Sequence, residues 1–499
     1  MRLRFILFFL IALICQCETA LVTPRADSAA WLFMGQRQAF GEMPGRDLWD
    51  NKLPLIYLIG RLAMFTGHPQ VSLWLIEAAL TAAGALAVSS IVARVTGTSK
   101  WPPLIAGFLL CIVTGAVSYH GGGYMTEIYA MPLSAIAVWC TLRATRPTHG
   151  ARWAVLSGLL WTLAVSFRLP LGLAAVAVVA YVMLSSDMRR KAAFFGCHMI
   201  GIILGAFVIF FHPVFEDYFR YCLDAAILWP LGIGHDRVPG PFTPTTVERL
   251  ADWGQDVLKL GWLHAAAITG IVMTWRSASG FLTRVTAAWY AAGMISAAWG
   301  WASYAHYQYV AFAPMCLAIG LLIASLKPPH SSRLSVLLTV LTTGVVGFQV
   351  AREVWRFQTS GEDADKSAAI AYIHDHTRPE DSVLVWAWGR SADVLYRLNR
   401  PSGTRHFMAH SYFDMDLTLF DEFSNNLRSD WILEDSRRDK PPLTTNPLKP
   451  YSPMPGSLRR VHLIVSNDYQ FIASFGPWRV FRRLPPDFLA MPATQPFTP

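Results

Sequence analysis

Apolar stretches long enough to form membrane-spanning helices recur along the chain from its N-terminus to residue 350. About 20 apolar residues suffice for a helix to cross the hydrocarbon core of a bilayer, so the pattern predicts a polytopic α-helical membrane protein with about eleven spans. The predicted spans are 3–22, 71–93, 102–118, 125–142, 153–167, 170–184, 192–211, 257–275, 285–302, 308–326 and 334–350. The composition agrees, because 53% of the 499 residues are hydrophobic and 15% are charged, whereas soluble proteins carry roughly a quarter charged residues.

The charges give the predicted spans an orientation. The whole net charge of +9 lies in residues 1–351, since residues 352–499 hold 18 basic and 18 acidic residues. Basic residues concentrate on the inner side of membrane proteins, and with the N-terminus inside, the inner connections contain one acid, Asp187. Their fourteen basic residues are Arg2, Arg4, Arg94, Lys100, Arg143, Arg146, Arg152, Arg189, Arg190, Lys191, Arg276, Arg284, Lys327 and Arg333. A basic excess spread between spans argues against a nucleic-acid partner, which needs a basic patch on a soluble face.

This orientation divides the chain into two predicted domains. Residues 1–351 form a transmembrane domain, in which 23–70 and 213–256 are loops on the outer side. Residues 352–499 form a small α/β domain, and the C-terminus lies on the same outer side. An alternative interpretation of the first span is a signal peptide that is cleaved near Ala20. Both interpretations place the chain after the span on the outer side.

The C-terminal domain shows the alternating helix and strand patterns of a soluble α/β fold. Its predicted elements are a helix over 363–376, strands over 382–388 and 461–466, a helix over 391–398, a loop over 435–456 and an irregular tail over 484–499. It contains no cysteine, and six of the seven cysteines of the chain lie in apolar spans. The sequence has neither a disulfide framework nor a metal-ligand spacing, so we expect no metal and no cofactor.

The first outer loop carries several charged residues between two predicted surface helices. Asp27 opens the loop, and helical spacing follows over residues 28–40, where Trp31 and Phe33 suit a membrane interface. A turn then leads to three charged residues and a second amphipathic stretch, 54–65. These charged residues are Asp47, Asp50 and Lys52.

Two carboxylates lie within or at the edge of predicted spans, where a charge is costly unless it has a partner or faces water. Glu127 follows three glycines, 121–123, which allow another part of the chain to approach the backbone closely. Glu77 lies two turns inside its span, and for it a hydrogen bond to a neighbouring helix is favoured over catalysis. Further polar groups on the same side are Arg168, His306 and Tyr307.

In chain order, these motifs resemble those of a known enzyme class. Their first part resembles the first outer loop of GT-C glycosyltransferases that use polyprenyl-phosphate sugars. The matching residues are Asp27, Gly41, Arg46-Asp47, Asp50 and Lys52-Leu53-Pro54-Leu55. The branch is the one related to protein O-mannosyltransferases and lipid A aminoarabinose transferases. Residues 122–130, 303–314 and 371–388 resemble later segments of the same enzymes.

The resemblance implies an inverting transfer of a sugar from a polyprenyl phosphate to an acceptor hydroxyl on the outer face. Asp27 would be the general base, because an alcohol attacks well only when a carboxylate takes its proton. Cations and hydrogen-bond donors would stabilise the leaving phosphate. The candidates for this role are Lys52, Arg168, His306 and Tyr307.

One position departs from the pattern of these enzymes. Many relatives have Asp-Glu where this chain has Asp27-Ser28, so a second acid would come from Asp50, Glu127 or Asp47. The implied partners are the polyprenyl-phosphate sugar, membrane lipids and an acceptor lipid, glycan or protein. The resemblance to bacterial members implies a multi-pass protein of the bacterial inner membrane with its site on the periplasmic side.

Two other functions fit a polytopic chain. A transporter or flippase for an envelope lipid would show paired broken helices in the two halves of the chain, and the sequence shows no internal repeat. A transferase resembling O-antigen ligases, with a diphosphate-linked donor, would carry its essential residues in the central loop 213–256.

Overall fold

We describe a computed structural model of the chain. The described residues are 1–22, 24, 26–50, 52–96, 100–116, 120, 122–146, 150–185, 191–210, 220, 222–223, 246–277, 279–299, 305–327, 330–360, 363–386, 391–404, 407, 429–435, 465 and 467–485. They fall into two compact units. The first unit comprises Met1–Pro24, Asn51–Gly234 and Pro244–Thr359, and the second comprises Arg25–Asp50, His235–Thr243 and Ser360–Pro499.

Helices make up most of the described chain. In chain order they are α1 (Arg2–Cys15), α2 (Glu18–Leu21), α3 (Ala26–Ala39), α4 (Leu55–Met64), α5 (Pro69–Val92), α6 (Trp101–Val113), α7 (Thr126–Ala144), α8 (Gly150–Phe167), α9 (Gly172–Ser185), α10 (Lys191–Phe210), α11 (Thr246–Leu258), α12 (Gly261–Thr274), α13 (Gly280–Ala298), α14 (Tyr309–Ser325), α15 (His330–Ser360), α16 (Ala364–His376) and α17 (Ser391–Leu398). Two short 3-10 helices, Leu169–Leu171 and Ala305–Gln308, precede α9 and α14.

Every predicted span overlaps at least one helix, and five of the described helices are long and apolar enough to cross a membrane. These are Pro69–Val92, Gly150–Phe167, Lys191–Ile209, Ala305–Ser325 and His330–Trp355. The first predicted span is interrupted, because α1 ends at Cys15 and only the short α2 follows. Gln16 and Glu18 lie at this break, and both are buried among other polar groups of the unit. Because the helix breaks here, the polar side chains at the end of the apolar stretch lie beside other polar groups.

Small residues bring neighbouring helices of the first unit into backbone contact. A Cβ on Gly158 of α8 would lie 2.0 Å from the carbonyl oxygen of His198 in α10. In the reverse direction, a Cβ on Gly201 of α10 would lie 1.9 Å from the carbonyl oxygen of Val155. Small residues at such crossings allow helices to pack closely where no hydrophobic effect drives association. These two glycines therefore fix how α8 and α10 cross.

The second unit contains a four-stranded mixed sheet, in the order β1-β2-β4-β3. Its strands are β1 (Val383–Trp386), β2 (Trp431–Asp435), β3 (Tyr469–Phe475) and β4 (Trp478–Arg483). β1 pairs parallel with β2, and the connection between them includes α17. A parallel pair needs such a crossover, so this part of the sheet has α/β character. β3 and β4 form an antiparallel hairpin around Gly476, whose φ is +54°.

The predicted elements of the C-terminal part are found where the structure describes them. The predicted helices 363–376 and 391–398 correspond to α16 and α17, and β1 lies within the predicted strand 382–388. The sequence did not predict β2 or the β3–β4 hairpin. The predicted strand 461–466, loop 435–456 and tail 484–499 fall almost wholly outside the described residues.

The helix α3 differs from its predicted place at a membrane interface. Trp31 and Phe33 are both buried. The ring centroids of Phe33 and Phe407 are 5.0 Å apart, and α3 packs against α17. The interface prediction was wrong for these two residues, because the apolar face of α3 contacts protein of its own unit.

Candidate functional site

The first unit places a buried carboxylate at the beginning of α7. Glu127 lies in the first turn of this helix, where the positive end of the helix dipole favours a negative charge. Its side chain is 1% exposed, and its Oε2 accepts a hydrogen bond from the Thr126 hydroxyl over 3.0 Å. A buried carboxylate requires charged or hydrogen-bonding partners, and the chain supplies them from three other segments.

Arg168 is the first partner of Glu127. Its Nη1 lies 3.2 Å from Glu127 Oε1, and its Nη2 donates to the carbonyl oxygen of Ser296 over 3.1 Å. Ser296 lies in the last turn of α13, where helix carbonyls carry partial negative charge. Arg168 is itself buried, and its Nε has no hydrogen-bond partner among the described residues. The Nε–H of this guanidinium is therefore a donor that a ligand can use.

His306 and Tyr307 approach from the 3-10 helix before α14. The Nε2 of His306 lies 4.0 Å from Glu127 Oε2. The guanidinium carbon of Arg168 lies 3.5 Å from the ring centroid of Tyr307, a distance typical of a cation–π interaction. The rings of His306 and Tyr307 meet edge to face at 4.7 Å. The aromatic ring of Tyr307 thus packs directly against the guanidinium of Arg168.

Lys52 adds a second permanent cation to this site. Its charge acts on Glu127 together with those of His306 and Arg168. The backbone of Lys52 is held by two contacts, because its carbonyl oxygen accepts hydrogen bonds from Tyr57 Oη over 3.1 Å and from Cys222 Sγ over 3.3 Å. One carboxylate thus faces two permanent cations and a histidine. This local excess of positive charge suits an anionic ligand such as a phosphate.

The other three candidate acids belong to the second unit. Asp27 lies half-buried in the first turn of α3. Asp47 accepts hydrogen bonds from Arg46 and from the backbone amide of Met43, and the hydrogen bond from Arg46 holds the pKa of Asp47 below its usual range. Asp50 is buried, and its Oδ2 accepts from the indole nitrogen of Trp31 over 3.0 Å. Asp47 and Asp50 therefore have identified partners within their own loop.

The first unit contains a second polar cluster, which the sequence did not predict. Its centre is Glu77 of α5, whose Oε1 accepts from the backbone amide of Tyr124 over 2.6 Å and from Tyr129 Oη over 3.1 Å. Its Oε2 accepts from the Thr19 hydroxyl over 2.8 Å. The hydrogen bond to a neighbouring helix that the sequence favoured for Glu77 is confirmed, and the residue has three donors.

His120 lies between two carboxylates of this cluster. Its Nδ1 is 3.4 Å from Glu18 Oε2, and its Nε2 is 3.7 Å from Glu77 Oε2. Burial alone would lower the pKa of His120, but the hydrogen bonds and negative charges of Glu18 and Glu77 raise it to about 9. The side chain is therefore an imidazolium at neutral pH, and it neutralises part of the buried negative charge.

The cluster fixes the turn that leads into α7. Gly122 and Gly123 have φ angles of +91° and +82°, which favour glycine. A Cβ on Gly123 would lie 2.0 Å from the Thr19 hydroxyl oxygen, so Thr19 occupies the space beside the turn that the glycines were expected to provide. The ring of Tyr129 stacks on Phe167 at 5.2 Å, and Phe167 directly precedes Arg168. The cluster thus contacts the segments that carry both members of the Glu127–Arg168 pair.

Sequence signals for this cluster existed, but they were distant from one another. Gln16, Glu18 and Thr19 follow an apolar helix, and His120 directly precedes the glycines. Nothing in the sequence indicates that these segments meet Glu77. Among the described residues, no group of three or more His, Cys, Asp or Glu side chains is arranged to hold a metal ion.

Three solved glycosyltransferases share the fold of this chain. ArnT from Cupriavidus metallidurans, bound to undecaprenyl phosphate, is similar with a TM-score of 0.58 over 98% of this chain and 99% of its own, at 12% identity. The archaeal oligosaccharyltransferase AglB from Archaeoglobus fulgidus, in complex with an inhibitory peptide and a dolichol-phosphate, has a TM-score of 0.54 over 87% of this chain and 70% of its own, at 13% identity. The arabinofuranosyltransferase AftD from Mycobacteria has a TM-score of 0.58 over 98% of this chain and 40% of its own, at 14% identity.

The chain therefore has the helical membrane fold of the GT-C class. The expected fold class is confirmed at this level. No protein-family model and no curated protein sequence matches the chain.

Proposed function

We propose that this protein is an inverting glycosyltransferase that moves a sugar from a polyprenyl-phosphate donor to a hydroxyl group. The observation that carries the proposal is the buried cationic site around Glu127 and Arg168, in a fold shared with ArnT bound to undecaprenyl phosphate. A lipid phosphate needs a cationic site at the membrane and an apolar path for its tail. Apolar helices flank the segments that carry this site.

The chemistry is a single displacement at the anomeric carbon. The acceptor oxygen forms a bond to that carbon, while the bond from the carbon to the phosphate oxygen breaks. Asp27 is the proposed general base and takes the proton of the acceptor hydroxyl, which makes the oxygen a better nucleophile. The polyprenyl phosphate leaves with the bonding electron pair.

The leaving phosphate gains negative charge as the bond breaks, so preorganised donors lower the barrier. We assign this role to Arg168, through its Nε, and to Lys52, with His306 and Tyr307 beside them. Glu127 is the proposed anchor of Arg168 because it pairs with that guanidinium. Asp50 and Asp47 stay candidates for a second acid or for contacts to the acceptor.

We further propose that the reaction takes place on the outer face of a bacterial inner membrane, which is the periplasmic side. The basic residues between the spans support this orientation by the positive-inside rule. The acceptor would then be an envelope lipid, glycan or protein, and the C-terminal α/β domain would lie on the same side.

The test is the turnover of purified Asp27→Asn protein with polyprenyl-phosphate sugars and hydroxyl acceptors. We expect turnover to fall by about 100-fold or more, since general-base catalysis contributes roughly 10²–10⁴-fold, while donor binding is retained. Asp375→Asn is a matched control, because Asp375 is an exposed carboxylate on α16. Unchanged turnover in Asp27→Asn would remove this residue from the mechanism. Lipid movement across vesicles without sugar transfer by the native protein would favour a transporter instead.

A further inference from the structure

Four arginines gather at the ends of α5 and α7 that lie away from Glu77 and Glu127. Arg94 lies two residues after the end of α5, and its Nη1 donates to the carbonyl oxygen of Leu142 near the end of α7 over 3.2 Å. Arg143 and Arg146 lie at the end of α7, and Arg152 lies in the first turn of α8. We call Arg94, Arg143, Arg146 and Arg152 the arginine cluster.

Two tryptophans hold the cluster in place. The guanidinium carbon of Arg143 lies 5.0 Å from the ring centroid of Trp139 and 6.0 Å from that of Trp153. The guanidinium carbon of Arg152 also lies over the Trp153 ring, 5.3 Å from its centroid. The two indole rings meet edge to face at 4.9 Å. Cation–π contacts orient a guanidinium without neutralising its charge, so the positive charges remain available.

No carboxylate of the surrounding sequence balances these charges. The chain has no Asp or Glu in residues 78–126 or in residues 128–186. Within the described ranges, none of the four arginines forms an ion pair with a carboxylate. Arg94 Nη2 and Arg143 Nε are buried atoms without a hydrogen-bond partner there. Burial and the charges of Arg146 and Arg143 lower the pKa of Arg94 to about 10.

The cluster lies at a depth where lipid headgroups are expected. The 19 residues of α7 span about 28 Å at 1.5 Å per residue. A hydrocarbon core is about 30 Å thick, so in the predicted orientation the two ends of α7 lie near opposite headgroup regions. Tryptophan beside arginine is typical of this region.

We propose that the arginine cluster binds the phosphate of an anionic phospholipid in the leaflet opposite the Glu127 site. Guanidinium groups match phosphate oxygens with paired N–H donors, and the bound phosphate supplies the negative charge and the acceptors that the described residues do not. A lipid can reach the cluster from within its own leaflet. This site is independent of the proposed glycosyl transfer.

The test is native mass spectrometry and thermal unfolding of the full-length protein in detergent. The protein is titrated with phosphatidylglycerol or with phosphatidylcholine of the same acyl chains. We expect the native protein to retain phosphatidylglycerol and to gain melting temperature with it, and to do neither with phosphatidylcholine. Each juxtamembrane arginine contributes about a fivefold effect on binding, so Arg143→Gln/Arg146→Gln should bind phosphatidylglycerol about 25-fold more weakly.

The matched control is Arg276→Gln/Arg284→Gln, which removes two exposed basic residues at the α12–α13 connection. It should bind phosphatidylglycerol as the native protein does. If this control lost phosphatidylglycerol binding to the same extent, the effect would be general charge attraction, and the proposal of a specific site would be overturned. Arg146→Gln alone keeps the test valid if the double variant does not fold, because Arg146 is exposed; it should weaken binding about fivefold. Equal stabilisation by millimolar inorganic phosphate would assign the site to a free anion and overturn the lipid proposal.

Discussion

Glu127 and Arg168 form a buried ion pair, with 3.2 Å between Oε1 and Nη1. The two residues lie 41 positions apart, at the beginning of α7 and just after α8. A carboxylate held in this way by a guanidinium is poorly suited to take a proton from an acceptor. The geometry therefore favours Glu127 as the residue that orients Arg168 over Glu127 as a general base.

Removing one member of the pair should destabilise the protein more than removing both. Glu127→Gln leaves an uncompensated buried guanidinium, and Arg168→Gln leaves an uncompensated buried carboxylate. Each single change should cost roughly 3–5 kcal/mol of unfolding free energy, whereas Glu127→Gln/Arg168→Gln should cost less than the sum of the two. The measurement is a double-mutant cycle from thermal or denaturant unfolding in detergent.

Lys366 and Asp393 provide a comparison pair, since their side chains lie 2.8 Å apart and are somewhat more exposed. Their coupling energy should be smaller, because solvent screens the pair. If the losses of unfolding free energy from Glu127→Gln and Arg168→Gln simply added in the double variant, the two residues would not stabilise each other, and the prediction would be contradicted.

Replacing Tyr307 separates the role of its ring from that of its hydroxyl. The ring faces the Arg168 guanidinium at 3.5 Å, and a desolvated cation–π contact contributes about 2 kcal/mol. Tyr307→Leu should therefore weaken donor binding by about 10- to 30-fold, while Tyr307→Phe should stay within about threefold of the native protein. The measurement is the donor Kd together with kcat/KM. Equal loss in both variants would assign the effect to the hydroxyl and contradict the ring contact.

The sequence predicted the elements that depend on local patterns. Apolar length identified the helices of the first unit, and helical periodicity identified α16 and α17. β2 is short and ends in Glu434 and Asp435, so it lacks a clear apolar signal. Its Glu434 lies opposite Arg479 of β4 with 3.0 Å between the charged groups. This pairing stabilises the sheet across strands, and no local pattern in the chain reveals it.

For the candidate site, the sequence predicted residue types but not their partners. Glu127, Arg168 and His306 were selected because charged groups at a membrane edge are costly, and the structure brings them together. The partners of Glu77 come from segments 47 and 58 residues away. Tertiary contacts at such separations follow from how whole helices pack, so a single sequence does not specify them.

The stability of the protein should fall as the pH rises through about 9, because His120 gains its charge partners on folding. Its pKa is raised from 6.5 to about 9, so the imidazolium stabilises the fold fully below pH 6.5 and loses this effect as the pH passes 9. The shift corresponds to about 3 kcal/mol. The measurement is the melting temperature in detergent between pH 6 and about 10, and the native protein should melt at lower temperature at the alkaline end.

His120→Asn should melt at lower temperature at neutral pH, and its melting temperature should change little between these pH values. His374→Asn is the control, because His374 is exposed on α16. It should keep the pH dependence of the native protein. A His120→Asn variant with the full native pH dependence would rule out this histidine as its source.

Two adjacent glycines allow the contact between Thr19 and the turn before α7 to be measured separately from backbone strain. Gly122 and Gly123 both have positive φ angles, so alanine at either position should cost about 1–2 kcal/mol of unfolding free energy from backbone strain. Among the described residues, a Cβ at position 122 would meet no atom within 4 Å, whereas a Cβ at position 123 would lie 2.0 Å from the Thr19 hydroxyl oxygen. Gly123→Ala must therefore also displace Thr19 from its hydrogen bond with Glu77.

Leaving a buried charged acceptor without one of its donors costs a further 1–3 kcal/mol or so, so Gly123→Ala should be clearly less stable than Gly122→Ala. Because Glu127 lies four residues further along the chain, Gly123→Ala should also weaken donor binding more than Gly122→Ala does. The measurements are the unfolding free energy and the donor Kd of both variants. Equal stability of the two variants would show that Thr19 does not fix the turn.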